Sequence, residues 1–236
     1  TIPVTVTDSK GATATQNLVI TITGTNDLPV MSVLTARTTT EGDAFIINNA
    51  FATDIDTGDT LTYSTSATVD GFSIGPDGTY RFDPSNAAYQ SLNAGAKLIL
   101  SIPLTVTDNH GGTATKTLTI TLTGTNQGAV IAGVDTGSVT EDQSIAGKLE
   151  TGGQLTISDV DKGEAVFTPR NGANAVAGKY GSLTIDASGA WHYSADNNQT
   201  AVQKLSEGAT VTDTFTVRSV DGTAHQITVI LQGTND

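Results

Sequence analysis

The segment Ile102-Pro-Leu-Thr-Val-Thr-Asp108, followed further on by Thr123-Gly-Thr-Asn126, repeats a segment found one hundred positions earlier. The earlier copy reads Ile2-Pro-Val-Thr-Val-Thr-Asp8 and ends in the same Thr-Gly-Thr-Asn at residues 23–26. A weaker third copy, residues 215–236, closes the chain. A period of this length is that of a whole β-domain rather than of a solenoid turn. The chain is therefore a piece of a tandem array, and its function must be argued for an array.

The repeat divides the chain into two complete units, residues 28–126 and 127–236, preceded by residues 1–27. Each unit is long enough to bury a hydrophobic core of its own. Residues 1–27 correspond to the last two strands of a unit, and a lone hairpin is marginally stable in water. We interpret them as the C-terminal hairpin of a preceding truncated repeat, or as strands that complete a sheet in a neighbouring molecule.

Strand signals dominate both units. Thr and aliphatic residues alternate with period two, as in residues 18–22 and 118–122, and Asx-Gly pairs between such runs favour tight hairpins. Helical turns are expected only at residues 86–92 and 199–205. With about seven short strands per hundred residues, the pattern predicts an all-β chain of immunoglobulin-type Greek-key β-sandwiches joined end to end. Tyr80 and Trp191 are expected to anchor the two cores.

Composition excludes several classes of protein. The chain has 24 acidic and 11 basic residues, a formal net charge of −13 and no cysteine. Nucleic acids and anionic membranes require clustered Lys and Arg, so neither is an expected partner, and no membrane insertion is expected. Cysteine metal sites and disulfides are excluded. We find no signal peptide or membrane span, so an export signal would lie elsewhere. The charge favours a cation as partner, or simply solubility.

Acidic side chains recur at equivalent positions in the two units. An Asp-x-Asp pair follows an early strand, a Thr-Glu pair precedes it, and one Asp ends the penultimate strand. Strand direction brings the Asp-x-Asp pair and the strand-end Asp to the end of each sandwich where the linker enters. The Glu lies at the opposite end, from which it reaches the following junction. We therefore expect two clusters, made of Asn26, Asp27, Asp54, Asp56 and Asp108 at the first junction and of Glu41, Asn126, Asp159, Asp161 and Asp221 at the second.

Converging carboxylates repel one another and raise one another's pKa unless a cation lies between them. Carboxylate and amide oxygens suit Ca²⁺, whereas Mg²⁺ demands tighter geometry and Zn²⁺ prefers Cys and His. The alternative is that acids only form turns or carry surface charge. For Glu41 and Glu141 an exposed edge charge is the rival interpretation. Turn chemistry alone accounts for Asp70, Asp77, Asp186 and Asp236.

Three stretches of the second unit carry a family resemblance. They are Gly153-Gln-Leu-Thr-Ile-Ser-Asp-Val-Asp161, Tyr180-Gly-Ser-Leu-Thr-Ile-Asp-Ala-Ser-Gly-Ala-Trp-His-Tyr193, and Leu205-Ser-Glu-Gly-Ala-Thr-Val-Thr-Asp-Thr-Phe215. They resemble the VCBS repeat, and residues 28–126 resemble the related cadherin-like repeats. Such repeats fill the extender regions of large bacterial surface adhesins, often of the RTX type. The resemblance implies sandwiches joined end to end, with Ca²⁺ at the junctions.

The cadherin calcium pattern carries over in part. Its linker Asn-Asp resembles Asn26-Asp27, its Asp-x-Asp resembles residues 54–56 and 159–161, and its upstream Glu resembles Glu41. Its strand-end Asp resembles Asp108 and Asp221. Gln127 departs from the linker acid, and the RTX motif Gly-Gly-x-Gly-x-Asp is absent from the sequence.

The leading hypothesis is a non-catalytic structural extender of an adhesin on the bacterial cell surface, acting in cell adhesion and biofilm formation and stiffened by Ca²⁺. Its partners would be neighbouring repeats of the same chain, with a surface glycan or protein bound through other domains. The alternative is a module that itself binds such a ligand, with residues 169–178 as the candidate loop. An enzyme is not expected, because His110, His192 and His225 lack a nucleophile and an orienting group in the sequence.

Overall fold

The computed structural model describes residues 1–235, so the turn expected at Asp236 lies outside the described residues. Its strands form one separate hairpin and two β-sandwiches in succession, which confirms the predicted all-β, tandem-sandwich fold. The two helical segments found there are 3₁₀ turns, at Ala87–Tyr89 and Gly172–Asn174. The first lies within the predicted helical stretch 86–92. The stretch 199–205 forms hydrogen-bonded turns, as predicted, in which the N–H groups of Val202 and Gln203 both donate to the Gln199 carbonyl. The second 3₁₀ turn was not predicted.

The separate hairpin pairs two strands whose side chains are all exposed. They are β1 (Ile2–Thr7) and β2 (Thr13–Leu18). The predicted strand over residues 18–22 is wrong beyond Leu18, which pairs with Ile2, because residues 19–22 form no ladder with any strand of the described residues. Val4 and Val6 are 54% and 68% exposed. The hairpin thus shows an apolar face to solvent.

The first sandwich is built from nine strands. They are β3 (Val30–Met31), β4 (Arg37–Thr40), β5 (Ile46–Asn49), β6 (Ala52–Thr53), β7 (Thr62–Thr65), β8 (Phe72–Ile74), β9 (Thr79–Phe82), β10 (Lys97–Thr107) and β11 (Thr113–Thr123). One sheet has the order β4-β11-β10-β7 and a second the order β5-β9-β8, with β3 and β6 paired separately. β4 runs parallel to β11, whereas β10 is antiparallel to both its neighbours.

The core of this sandwich follows from the period of two along β10 and β11. Alternate residues such as Leu104, Val106 and Ile120 are fully buried, and the threonines between them are not. They pack in one cluster with Tyr80 and Phe82 of the opposite sheet. Tyr80 is 3% exposed, as expected of a core anchor.

The second sandwich is built from eight strands. They are β12 (Val130–Gly133), β13 (Thr136–Thr140), β14 (Lys148–Ser158), β15 (Val176–Ala177), β16 (Gly181–Ile185), β17 (Ala190–Asp196), β18 (Thr210–Arg218) and β19 (Ala224–Gln232). The sheets have the orders β12-β14-β17-β16-β15 and β13-β19-β18. Trp191 is 3% exposed and lies in the core cluster, as predicted. Its indole N–H donates to the Val134 carbonyl at 2.7 Å, which satisfies the polar edge of the ring.

One carboxylate, Asp213 on β18, lies inside the second core and is only 2% exposed. It accepts hydrogen bonds from the backbone N–H groups of Lys179, Tyr180 and Gly181 at 2.7–3.2 Å, and from the Tyr193 hydroxyl at 3.0 Å. Burial, together with the Asp213 charge, raises the pKa of the Tyr193 hydroxyl. The charge is tolerated because its acceptor sites are filled by donors.

Replacing Asp213 by asparagine should destabilise the second sandwich by about 2–3 kcal/mol, since charge-assisted hydrogen bonds are lost and an N–H donor faces other donors. Urea unfolding would measure the change. The matched control is Glu150→Gln, whose side chain is 43% exposed. It should change stability by less than about 0.5 kcal/mol. A loss below about 1 kcal/mol in the Asp213 variant would contradict a structural role for this carboxylate.

The acid Asp186, between β16 and β17, acts as the turn former that the sequence suggests. Its Oδ1 accepts hydrogen bonds from the Ser188 hydroxyl at 2.7 Å, the Ser188 N–H at 2.8 Å and the Ala190 N–H at 3.0 Å. These bonds, that of the Ser188 hydroxyl first, lower the pKa of the carboxyl below its ordinary value. Asp77 is held in the same manner by Thr79, with the same direction of shift.

We expect Ser188→Ala to move the pKa of Asp186 upward, because the largest stabilising contact of the ionised form is removed. A lowered folded-state pKa gives stability that is present above the unfolded-state pKa and is lost as the pH falls through the folded-state value. NMR titration of the carboxyl carbon would measure the shift, with Asp77 as the internal control. An unchanged Asp186 pKa would show that backbone donors alone set it.

Candidate metal centres at the domain junctions

Each sandwich carries the same acidic loop, Asp-x-Asp-x-Gly followed by an acid, at residues 54–59 and 159–164. Gly58 and Gly163 turn the chain at φ 97° and 84°, a conformation that favours glycine. The second Asp of each loop donates its backbone N–H to the first, at 3.0 Å in residues 54–56 and 2.9 Å in residues 159–161. Each loop thereby curls its carboxylates toward one another.

At the first junction the structure brings the linker and the sandwich end together. The Asn26 side-chain amide donates to Asp108 Oδ2 at 3.1 Å, and the Asp27 backbone N–H donates to Asp56 Oδ2 at 2.7 Å. One oxygen each of Asp54, Asp56 and Asp59 lie within 4.8 Å of one another. The five residues expected at this junction therefore share one region, although the side chain of Asp27 is exposed.

Asp108, at the end of β10, is 5% exposed. Burial would raise the pKa of its carboxyl, but hydrogen bonds from Asn26 and from the backbone N–H groups of Gly112 and His110 outweigh burial and lower it. The ring of His110 lies 3.2 Å from Asp59, which raises the pKa of that histidine. An open cleft of about 330 Å³ is lined by linker residues 24–26 together with Asp56, Asp59 and His110.

At the second junction Gln127 joins the two sandwiches. Its side-chain amide donates to Glu41 Oε1 at 2.9 Å, and its backbone N–H donates to Asp161 Oδ2 at 2.8 Å. Glu41 follows β4 and is 4% exposed, so the interpretation as an exposed edge charge is wrong for this residue. Its Oε2 accepts the Thr125 N–H at 3.2 Å. Asn126 is exposed, as Asn26 is, but within residues 1–235 its side chain makes no hydrogen bond equivalent to that of Asn26 with Asp108.

Asp221 lies on the other side of the same junction. Burial would raise its pKa, but the Ser219 and Thr223 hydroxyls and the N–H groups of Thr223 and Ala129 outweigh burial and lower it well below its usual range. Oxygens of Asp159, Glu164 and Asp221 lie within 4.8 Å of one another. This group and Asp161 are the carboxylates of the second sandwich at the junction.

Whether a cation fits these junctions can be tested by asking which buried side-chain oxygens accept no hydrogen bond. A buried acceptor without a donor costs about 1–3 kcal/mol. Several buried oxygens at the junctions receive no hydrogen bond from residues 1–235; these are Asp54 Oδ2, Gln127 Oε1, Asp159 Oδ2, Asp161 Oδ1 and Glu164 Oε2. All are hard oxygen atoms, the ligands that Ca²⁺ takes in flexible sets of six to eight. The residues present therefore fit a calcium ion.

Glu141 occupies in the second sandwich the position that Glu41 has in the first. It is 1% exposed, so it too is not an exposed edge charge. Its Oε2 accepts the Thr234 N–H at 3.3 Å, while its Oε1 has no donor within the described part of the chain. A third acidic position therefore exists at the far end of the second sandwich.

Two acids of these clusters, Asp59 and Glu164, were not predicted. Both stand five positions after the first Asp of their loop, and this shared offset was a signal available in the sequence. Asn93 was also missed. It bonds Glu164 Oε1 at 2.7 Å across the junction, and nothing in its local sequence indicates that contact.

Two β-sandwiches in series, with carboxylates gathered where one passes into the next, define a tandem repeat with acidic junctions. The family model of the bacterial cadherin-like domain matches residues 26–124 and again residues 126–233. The chain belongs to this family and holds two copies of its domain. The second match covers the unit compared above with the VCBS repeat.

Solved structures of similar fold come from cadherins. The protocadherin GammaB4 extracellular domain is 15% identical, with a TM-score of 0.50 over 98% of this chain and 41% of that one. Mouse cadherin-23 EC22-24 is 13% identical, with a TM-score of 0.42 over 89% of this chain and 65% of that one. The chain thus spans less than half the length of the protocadherin. The protocadherin likeness concerns the fold alone.

No curated protein matches the sequence. Among residues 1–235 no helix has the length and apolar character that a membrane crossing requires.

Proposed function

We propose that the chain is a non-catalytic extender segment of a large bacterial surface adhesin, of the RTX type, in which Ca²⁺ at the junctions holds successive sandwiches in line. The observation that carries the proposal is the set of buried oxygens without donors, which belong to the acidic loops and linkers at the ends of the sandwiches and not to their core clusters. Membership of the bacterial cadherin-like family supports a role outside the cell, in adhesion and biofilm formation.

In this proposal the units are residues 28–126 and 127–236, and residues 1–27 are the last hairpin of a preceding repeat. The pattern of the hairpin supports that assignment, because Val4 and Val6 are the counterparts of Leu104 and Val106, which are fully buried in the first sandwich. The partners are neighbouring repeats, and any glycan or protein target is bound by other domains.

The ligands proposed for the second ion come from both sides of the junction. Asp159, Asp161, Glu164 and Asp221 belong to the second sandwich, whereas Glu41 belongs to the first. Bound there, Ca²⁺ supplies the positive charge that offsets their repulsion. A hinge at the linker would pull ligands of one sandwich away from those of the other, so binding restricts the hinge. At the first junction Asn26, Asp27, Asp54, Asp56, Asp59 and Asp108 are the corresponding set.

Thermal unfolding in chelator and then across a Ca²⁺ titration tests the proposal, with Mg²⁺ as the ionic control. Binding to the folded state alone adds about 2.7 kcal/mol at a hundredfold excess over Kd, so the melting temperature should rise with Ca²⁺ and little with Mg²⁺. Asp159→Asn with Asp161→Asn should reduce the rise, and Asp77→Asn with Asp186→Asn, at turns, should preserve it. No Ca²⁺-specific rise in the wild type would refute the calcium mechanism.

Asp54→Ala with Asp56→Ala should leave both sandwiches folded, because these side chains lie outside the core clusters. Calcium binding at the first junction should weaken or disappear, since an unpartnered oxygen and its neighbour are removed together. Isothermal titration calorimetry would measure the binding, and circular dichroism would verify the fold. Unchanged affinity and stoichiometry would exclude the pair as ligands.

A further inference from the structure

Glu41 and Glu141 are matched residues with different surroundings. Each follows a strand that runs parallel to the last strand of its sandwich, and each accepts the N–H of a linker threonine, Thr125 or Thr234. Glu41 Oε1 in addition accepts the Gln127 amide at 2.9 Å. Glu141 Oε1 is buried without a donor from residues 1–235. The residue that corresponds to Gln127 beside Glu141 is Asp236, which lies outside the described residues.

Gln127 stands where the first linker has Asp27. An aspartate there adds a negative charge and brings no side-chain donor at neutral pH. The glutamine amide instead reaches Glu41 Oε1, and also lies 3.4 Å from Thr125 Oγ1. Hydrogen bonds to an ionised acceptor are stronger than neutral ones, and Glu41 is 4% exposed, so solvent competes little for this contact.

A second set of direct bonds connects the sandwiches without any cation. The Asn93 side-chain amide, before β10, donates to the Lys162 carbonyl at 3.1 Å and to Glu164 Oε1 at 2.7 Å. The Lys162 N–H donates back to the Ser91 carbonyl at 3.4 Å. These bonds attach the end of the first sandwich to the acidic loop of the second.

We propose that the Gln127 amide takes the place of one cation beside Glu41 and that, together with Asn93, it makes the second junction a joint that keeps its alignment without metal. The inference rests on the proposed function, in which cations stiffen the junctions, and it divides this junction into two parts. Asp159, Glu164 and Asp221, with Glu41 Oε2 as the ligand from the first sandwich, form the part that needs a cation. Glu41 Oε1, Gln127 and Asn93 form the part that is held by hydrogen bonds.

The chain has no cysteine, so two introduced ones can be labelled selectively. Ser101→Cys on β10 and Thr214→Cys on β18 are exposed positions, one in each sandwich. Spin labels there report the distribution of distances across the junction by pulsed electron paramagnetic resonance. In chelator, the wild-type background should give a narrow distribution, and Asn93→Ala with Gln127→Ala should at least double its width.

The matched control is Asn171→Ala, whose side chain is exposed and makes no capping hydrogen bond. It should leave the wild-type width unchanged. A wild-type distribution in chelator as broad as that of the double variant would overturn the proposal. This measurement uses no metal, so its failure counts against the hydrogen-bonded joint alone.

A second variant, Gln127→Asp, restores the acid of the first linker. It should bind one more Ca²⁺ ion per chain than the wild type by native mass spectrometry. Its distance distribution should be broad in chelator and narrow in saturating Ca²⁺. If the Gln127→Asp variant bound the same number of Ca²⁺ ions as the wild type, the proposal that the Gln127 amide takes the place of a cation would be overturned. Absence of any Ca²⁺ binding in the wild type would instead count against the proposed function, while the chelator measurement would still decide the joint.

Discussion

Carboxylates converge at the ends of these sandwiches because the strands that carry them all finish there. β10 and β18 run toward the entering linker and end in Asp108 and Asp221, and β6 and β14 lead into the acidic loops from the same end. Several negative charges then share a small volume, where each raises the cost of ionising the next. Donors of the chain, a change of protonation or a cation must offset this repulsion. At both junctions hydrogen-bond donors of the chain offset part of the repulsion, and in the proposed function cations offset the rest.

A buried carboxylate needs no metal when the chain itself supplies hydrogen-bond donors to both of its oxygens. Asp213 receives three backbone N–H groups and one hydroxyl, and no oxygen of it is left without a donor. Asp161, equally buried at 2% exposed, keeps one oxygen without a partner among the described residues. Asp213 and Asp161 lie in the same sandwich. The comparison distinguishes a carboxylate whose oxygens all accept hydrogen bonds from the chain from one with an oxygen still open to a ligand.

The sequence allowed most of the fold to be predicted, because period-two alternation specifies which side chains face a core and strand direction specifies which ends meet. Tyr80, Trp191 and the grouping of Asp54, Asp56 and Asp108 follow from those two rules. The contacts of Gln127 and Asn93 could not be predicted, because they depend on how one whole sandwich is seated on the next. The strand expected through Ile22 was wrong because alternation indicates a face to bury but does not provide a pairing partner. Asp59 and Glu164 were predictable only in part. Both stand five positions after the first Asp of their loop, which is visible in the sequence, but the turn at Gly58 and Gly163 determines where their side chains point.

The buried charge of Asp213 also bears on how neighbouring repeats avoid misassembly during folding. Adjacent domains of similar sequence can exchange strands, and such errors are characteristic of repeat proteins. Aligned on the strand-end Asp108 and Asp221, Asp213 corresponds to Leu100 of β10, which packs against an apolar core. If β18 entered the first sandwich it would carry a carboxylate away from its four donors and into hydrocarbon, at considerable cost. A single internal acid therefore disfavours the exchange of β18 into the first sandwich, even though the two domains share one fold.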